Sequence, residues 1–274
     1  MNVMITGASG GLGRALANEC GKRGYRLFLT DINEGGLKAI QLGLERQFGV
    51  TVSTAACDLT SDESVDGLMK KIDRYGIRFD KLLNVAGVDY EGGFLERSRQ
   101  DIVRIISLNT EATLRITHAI LNRRREGNPF YLLFTSSLAS MYPMPLKATY
   151  AASKRFLLDL AVALREELRS QHVNVLALCP GGLATTREAM RGIAAQGVMG
   201  DATTNPLEIL CGKTIDRLMK RGGVYVPGAM NRTLSFFGKL LPRRWIAAVI
   251  YHRWSKAQQQ WKPVEFSSER STPA

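Results

Sequence analysis

Tyr150 and Lys154 stand in the run Tyr150-Ala151-Ala152-Ser153-Lys154, thirteen residues after Ser137. Four positions apart on a helix, a phenol and an ammonium share one face and lie about one turn apart. A free phenol titrates near pH ~10, so a neighbouring cation is what would let it exchange protons near neutrality. The pair therefore predicts acid/base chemistry on an alcohol or a carbonyl. Ser137 follows the apolar run 130–134, which places it near the carboxyl end of a strand, where open α/β sheets bind ligands. A Tyr-x-x-x-Lys spacing by itself equally describes a solvated helix face. Ser137, Asn109 and a glycine-rich turn at the amino terminus favour chemistry.

That turn is Thr6-Gly7-Ala8-Ser9-Gly10-Gly11-Leu12-Gly13, which follows a short apolar run and opens an amphipathic stretch. Glycine lets the main chain approach a pyrophosphate, whose charge a helix amino terminus favours. Asp31 ends the second expected strand, where an acid accepts hydrogen bonds from an adenosine ribose and repels a 2′-phosphate. Gly10 and Ile32, positions from which a base could pair with that phosphate, carry no charge. NAD is expected in preference to NADP. The bland alternative is that Asp31 caps the next helix.

The elements that must position these groups alternate along the chain. Strands are expected at 3–6, 26–30, 51–55, 81–85, 130–135, 174–178 and 224–226, and helices at 11–23, 33–47, 61–74, 98–124 and 149–169. Alternation of this kind implies one α/β domain, a Rossmann-type doubly wound parallel sheet of about seven strands with helices on both faces. Its boundaries are expected at 1–228, with a helical extension over 229–262 and a disordered tail over 263–274.

The 274 residues suffice for a single core, and 45% are apolar. No run of eighteen apolar residues occurs, and Met1 leads directly into the first strand, so neither a signal peptide nor a membrane span is expected. Cys20, Cys57, Cys179 and Cys211 are scattered, and His118, His172 and His252 lack partners at ligand spacing. Neither disulfides nor a metal site follow, and the cytoplasm is the expected compartment. The formal charge of +12 is uneven: residues 213–262 hold eleven Lys or Arg against Asp216 alone, while the remainder carries 26 bases and 24 acids. A basic stripe without a reading motif argues against nucleic acid as partner.

Thr6-Gly7-x-x-x-Gly11-x-Gly13, Asp58-Leu59, Asn84-Val85-Ala86-Gly87, Asn109, Ser137, Tyr150-x-x-x-Lys154 and Pro180-Gly181-x-x-x-Thr185 together resemble the short-chain dehydrogenase/reductase family over roughly residues 1–228. Val85 departs from the pattern, since many members carry a second Asn there. The resemblance implies that Gly7, Ser9, Gly11, Leu12 and Gly13 take the pyrophosphate side, with Asp31 and Ile32 at the ribose. It implies Asp58 and Leu59 at the adenine edge and Asn84, Ala86 and Gly87 along the adenosine side of the cleft. Pro180, Gly181, Leu183 and Thr185 would flank the nicotinamide. Tyr150 would exchange the proton, Ser137 orient the substrate oxygen, and Lys154 bind the nicotinamide ribose and lower the Tyr150 pKa. Asn109 would hold a water linking Lys154 to solvent.

The substrate side is expected in Met141-Tyr142-Pro143-Met144-Pro145 and in segment 183–205, which carries Met190, Ile193, Val198 and Met199. Adaptable apolar side chains suit a hydrophobic alcohol or ketone, although Arg187, Glu188 and Arg191 could recognise a charge. Gly192, Gly197 and Gly200 suggest a segment that closes over ligand. Beyond it, Trp245, Trp254 and Trp261 lie among bases such as Arg232, Lys239, Arg243, Arg244, Arg253 and Lys256. Such an amphipathic extension can pack on the core or a sister subunit, cover the pocket, or lie on a membrane surface, the last being the least favoured. Phe156, Leu157, Leu160, Ala161, Leu164 and Leu168 make the helix after Tyr150 apolar on two sides, which with the resemblance implies a homodimer or homotetramer. The leading expectation is an NAD-dependent oxidoreductase for a secondary alcohol and its ketone. An NADP-dependent carbonyl reductase and a non-catalytic NAD(H) sensor or scaffold are the alternatives.

Overall fold

A computed structural model describes residues 1–195 and 197–268. Seven strands, β1 (Asn2–Thr6), β2 (Arg26–Asp31), β3 (Val52–Ala56), β4 (Lys81–Asn84), β5 (Phe130–Thr135), β6 (Val173–Leu178) and β7 (Gly223–Tyr225), form one sheet in the order β3-β2-β1-β4-β5-β6-β7. Every neighbouring pair is parallel. Such a sheet is buried on both faces, so its strands read as continuous apolar runs, and successive residues serve opposite cores. Met4, Phe28, Leu82, Leu132 and Phe134 face one core, and Val3, Ile5, Leu27, Leu83 and Leu133 the other. Each such side chain fully removed from water contributes about 1.5–3 kcal/mol.

Helices α1 (Gly11–Lys22), α2 (Glu34–Phe48) and α3 (Asp62–Arg74) connect the first four strands. Side chains start two of them: Asn33 Oδ1 accepts from Gly36 N at 2.9 Å, and Ser61 Oγ from Ser64 N at 3.2 Å. Gly49, at φ 64°, supplies the left-handed cap that ends α2. The helix expected at 98–124 consists of α4 (Arg99–Ile106), a π-helical segment Ser107–Glu111 and α5 (Ala112–Leu121). After β5, α6 (Ala148–Glu167) carries Tyr150 and Lys154.

Segment 183–205 holds two short helices, α7 (Arg187–Ala195) and α8 (Val198–Thr203). Next, α9 (Leu207–Lys220) has no counterpart among the expected elements. Its buried Leu210, Cys211, Thr214, Ile215 and Leu218 recur at helical spacing, so the signal was present in the sequence. The extension forms α10 (Ala229–Leu240) and α11 (Arg243–Ser268). The latter overlaps the start of the expected tail, and residues 269–274 lie outside the described residues. The side chains of Glu188, Lys239, Lys256 and Trp261 are likewise outside them.

Candidate active site

Between β1 and β4 the strand order reverses, and the glycine turn sits at the carboxyl end of that switch point. Gly7 has φ 63°, and a Cβ on it would meet Ala86 Cα at 2.7 Å; on Gly13 it would meet the Gly7 carbonyl at 2.1 Å. These two positions admit only glycine, for conformation and for closeness. No side chain caps α1 at Gly10, which leaves its first N–H groups to a ligand or water. A pyrophosphate fits such a cradle.

Asp31 Oδ2 accepts from Ser9 N at 2.9 Å, and Oδ1 from Asn33 N at 3.0 Å. Asn33, not Asp31, supplies the side-chain cap of α2, which overturns the bland alternative. Ile32 is exposed beside it. Arg14, in contrast, sends its Nε to the Ser9 carbonyl at 2.7 Å, a base at the ribose end that inspection of Gly10 and Ile32 missed. Asp58 accepts from Thr60 N at 2.9 Å and Thr60 Oγ1 at 2.6 Å, bonds that hold its carboxyl below the usual range, and Leu59 is buried next to it. Asn84 Nδ2 donates to Thr117 Oγ1 at 2.9 Å.

On the other side of the cleft, the Pro180 carbonyl accepts from Leu138 N at 2.7 Å, and Gly181 N donates to Asn205 Oδ1 at 2.9 Å. Leu183 and Thr185 follow, and Thr185 packs so closely on Gly11 that a Cβ there would meet it at 2.5 Å. The two halves of the expected cofactor site therefore touch. Among the described residues, the buried polar side-chain atoms without a partner are Asn84 Oδ1, Thr135 Oγ1 and Asn231 Oδ1. All three lie at this end of the sheet.

Ser137, Tyr150, Lys154 and Asn109 come together above β4 and β5. Ser137 stands beside Tyr150 and favours its phenolate, while its Oγ accepts from Ala139 N at 3.1 Å. Lys154 is buried, its Nζ donates to the Thr135 carbonyl at 2.9 Å, and it lies 5.6 Å from the centre of the Tyr150 ring. A Cβ on Gly87 would stand 2.9 Å from Asn109 Oδ1 and 3.3 Å from Lys154 Nζ. Asn109, in the π-helical segment, uses its side chain on the Val88 main chain (2.8 and 3.0 Å) and on Ser153 Oγ at 3.0 Å. Single π-turns of this kind recur at functional sites.

One expectation is corrected. Burial pushes the Tyr150 phenol up to about 12, and the Asp89 carboxylate acts in the same direction. The cation that most opposes them is Lys147, with Ser137 acting the same way; Lys154 Nζ stands as near to the ring, at 5.6 Å against 5.7 Å. Desolvation brings Lys154 itself down to about 8, against the pull of Asp89. A helical spacing establishes that two groups share a face, but not how deeply the protein buries them.

Lys147 and Asp89 escaped the sequence reading, and Trp254 was foreseen only as part of an extension that could cover the pocket. Lys147 precedes α6 and pairs with Asp89 Oδ2 at 2.5 Å and Glu91 Oε2 at 3.4 Å. Burial works against its charge, but the two carboxylates hold its ammonium above the usual lysine range. It lies 5.7 Å from the Tyr150 ring and 5.3 Å from that of Trp254, so α11 reaches the site. The turn is anchored by Gly92 N donating to the Leu146 carbonyl at 2.8 Å, with Leu146 in the left-handed region at φ 66°. A branched residue there is strained, as turns beside active sites often are. On the same rim, α10 approaches so closely at Gly238 that a Cβ would meet the Tyr142 ring at 2.8 Å.

Of the remaining expectations, Met141 is buried and Met190 half exposed. The four cysteines are free and buried, and no group of three metal-ligating side chains occurs among the described residues.

Fold and site define a dinucleotide-binding protein equipped to pass a proton to or from an oxygen at the carboxyl end of its sheet. A family model described as short chain dehydrogenase matches residues 1–194, and the chain belongs to that family of nicotinamide-dependent oxidoreductases. It is 29% identical over 192 residues to a very-long-chain 3-oxoacyl-CoA reductase of Rattus norvegicus; the match covers 69% of this chain and spans 61% of the rat protein. A protein of the same name from Phaeosphaeria nodorum is 27% identical over 274 residues, covering 98% of this chain and 72% of its own. Among solved structures, a short-chain dehydrogenase from Sphingobium yanoikuyae in complex with NADPH is similar with a TM-score of 0.71 at 26% identity, covering 87% of this chain and 93% of that one.

Proposed function

We propose that this chain interconverts a secondary alcohol and a ketone on a hydrophobic small molecule, with NAD as the preferred hydride carrier. The observation that carries the reading is the grouping of Ser137, Tyr150 and Lys154 at the mouth of a glycine-lined nucleotide cleft. The nicotinamide supplies or accepts the hydride. The chain's own residues do the rest. Ser137 orients the reacting oxygen, and Tyr150 gives it a proton in reduction or takes one in oxidation. Lys154, fixed on the Thr135 carbonyl, holds the nicotinamide ribose with an ammonium that burial has made a readier proton donor. Because the Asn109 side chain is committed to Val88 and Ser153, a water link to Lys154 falls to its main-chain carbonyl. The names of the rat and fungal relatives favour ketone reduction, and an acyl chain suits Met141, Met144 and the α7–α8 segment.

Steady-state turnover on a panel of alcohols and ketones, with and without Tyr150→Phe, tests the reading. The substitution is expected to lower turnover by about 10²–10⁴-fold with cofactor affinity unchanged. A parent that binds NAD(H) and turns over nothing would favour the sensor.

Asp31 supports NAD by accepting ribose hydroxyls and repelling a 2′-phosphate. Arg14 at the Ser9 carbonyl favours the second reading, NADP, as does the NADPH held by the Sphingobium structure. Titration with both cofactors separates them: Asp31→Ala should relax an NAD preference, whereas a loss of NADP affinity in Arg14→Ala would move the assignment to NADP. For assembly we propose a homodimer through α4–α5 and α6, where Val103, Leu114 and Phe156 are exposed. Light scattering on the purified protein tests it. The cytoplasm stays the proposed compartment.

A further inference from the structure

The two helices of the extension carry more apolar surface than the rim of the site uses. On α11, Ile246, Ile250 and Trp254 form one half-buried stripe, with Trp254 over Lys147. A second stripe, Trp245 and Val249, is 61% and 67% exposed. Helix α10 adds Phe236 at 60%, Phe237 at 54% and Leu240 at 64%, and the turn between the helices adds Leu241 at 52%. Two consecutive helices thus turn large apolar side chains to solvent, and exposed apolar surface of this kind marks a contact site.

Charge decides what covers it. Residues 229–255 contain no Asp or Glu, while Arg232, Arg243, Arg244 and Arg253 are exposed. A second copy on a two-fold axis would set Arg243 and Arg244 against themselves, and like charges brought together oppose association. The face of α6 differs: there Arg155 pairs with Asp159 at 2.8 Å beside Phe156, a mixture of signs that can complement itself. A nucleic acid would supply the negative charge, but Leu240, Leu241 and Val249 cannot stack on bases. Phenyl, indole and aliphatic groups ringed by guanidinium match the boundary between anionic headgroups and acyl chains. Among the described residues no helix is long and apolar enough to cross a membrane, so the fit is to the surface of one.

We propose that the outward face of α10 and α11 docks this protein on an anionic lipid surface, with Phe236, Phe237, Leu240, Trp245 and Val249 in the acyl boundary and Arg243 and Arg244 on the headgroups. The docking face is a different stripe of α11 from the one that closes on Lys147, so it stands apart from the choice of substrate.

The test is co-sedimentation of the full chain with vesicles of phosphatidylcholine, with and without phosphatidylglycerol. In about 0.1 M salt the parent should pellet with the anionic vesicles at least roughly tenfold more than with the neutral ones, and should be released near ~1 M salt. Arg243→Glu/Arg244→Glu and Phe237→Ser/Trp245→Ser should each remove most of that binding while keeping the parental melting transition. If the apolar variant fails to fold, the charge variant decides alone. Tyr150→Phe should bind vesicles as the parent does, which keeps failure of docking distinct from failure of the catalytic reading. Equal partition between the two vesicle types would overturn the proposal. So would a parental dimer that Phe237→Ser/Trp245→Ser dissociates.

Discussion

Two lysines lie buried at opposite ends of the sheet, and desolvation brings each ammonium down to about 8. Lys81 opens β4 at the amino end, fully buried, with its Nζ 2.6 Å from Met1 Sδ and 4.7 and 4.5 Å from the rings of Tyr25 and Tyr131. Lys154 sits at the carboxyl end on the Thr135 carbonyl, 5.6 Å from the Tyr150 ring. Neither makes an ion pair among the described residues. Burial and titration are alike, yet only one has a phenol and a serine together beside a nucleotide cleft. A perturbed pKa marks where water is excluded, and the neighbours decide whether that exclusion serves chemistry or only packing.

The contrast breaks first in kinetics. Lys154→Met is expected to lower turnover by about 10²–10³-fold, while Lys81→Met leaves it within about twofold; steady-state rates at saturating cofactor decide. Comparable losses in both would mean that the amino end of the sheet communicates with the site.

Stability should bring the two lysines back together. Their folded pKa of about 8 lies below the ordinary lysine value, so the folded state carries a cost wherever the unfolded chain holds the extra proton. That cost is complete below about pH 8, on the order of 3 kcal/mol, and disappears as the pH rises to about 10.5. Each Met variant should therefore melt above the parent at pH 7, with the advantage shrinking through that window. Denaturation followed across pH measures it, and an advantage constant with pH would show that packing, not charge burial, is its source.

The smallest effect sharpens the catalytic end. The groups facing Tyr150 are Ser137 after β5, Asp89 after β4, and Lys147 and Lys154 at the start of and within α6. In Lys147→Met, Asp89 loses its cation and stands beside the phenol uncompensated, so the Tyr150 pKa moves further up. The pH profile of alcohol oxidation, which needs the phenolate, should shift to higher pH by roughly one unit. Lys147→Arg should restore it. A loss of rate with the profile unmoved would make Lys147 a brace for the turn at Leu146 rather than an electrostatic partner.

Most of the fold was legible because buried parallel strands and their crossover helices leave strong periodic signals; β5 is where the run 130–135 placed it, and β2 and β6 differ by one residue. The glycine turn was legible because Gly7 and Gly13 have steric requirements that no other residue meets. The rim of the site was not. Lys147 is distant in the chain from Asp89 and Glu91 and joins them only when the loops after β4 and before α6 meet, and Trp254 comes from a helix a hundred residues further on. Arg14 was missed because its guanidinium turns back to Ser9, a contact that its position within α1 does not reveal.

From the sequence alone came the order of strands and helices, the glycine turn, Asp31, and Ser137, Tyr150 and Lys154 as a group, since local spacing and residue chemistry suffice for each. Only the tertiary structure decided how far burial raises the Tyr150 phenol, which cation opposes it, and which stripe of α11 turns toward the site and which toward solvent. Those quantities depend on what lies within a few ångströms through space, and in this chain the decisive neighbours are distant in sequence.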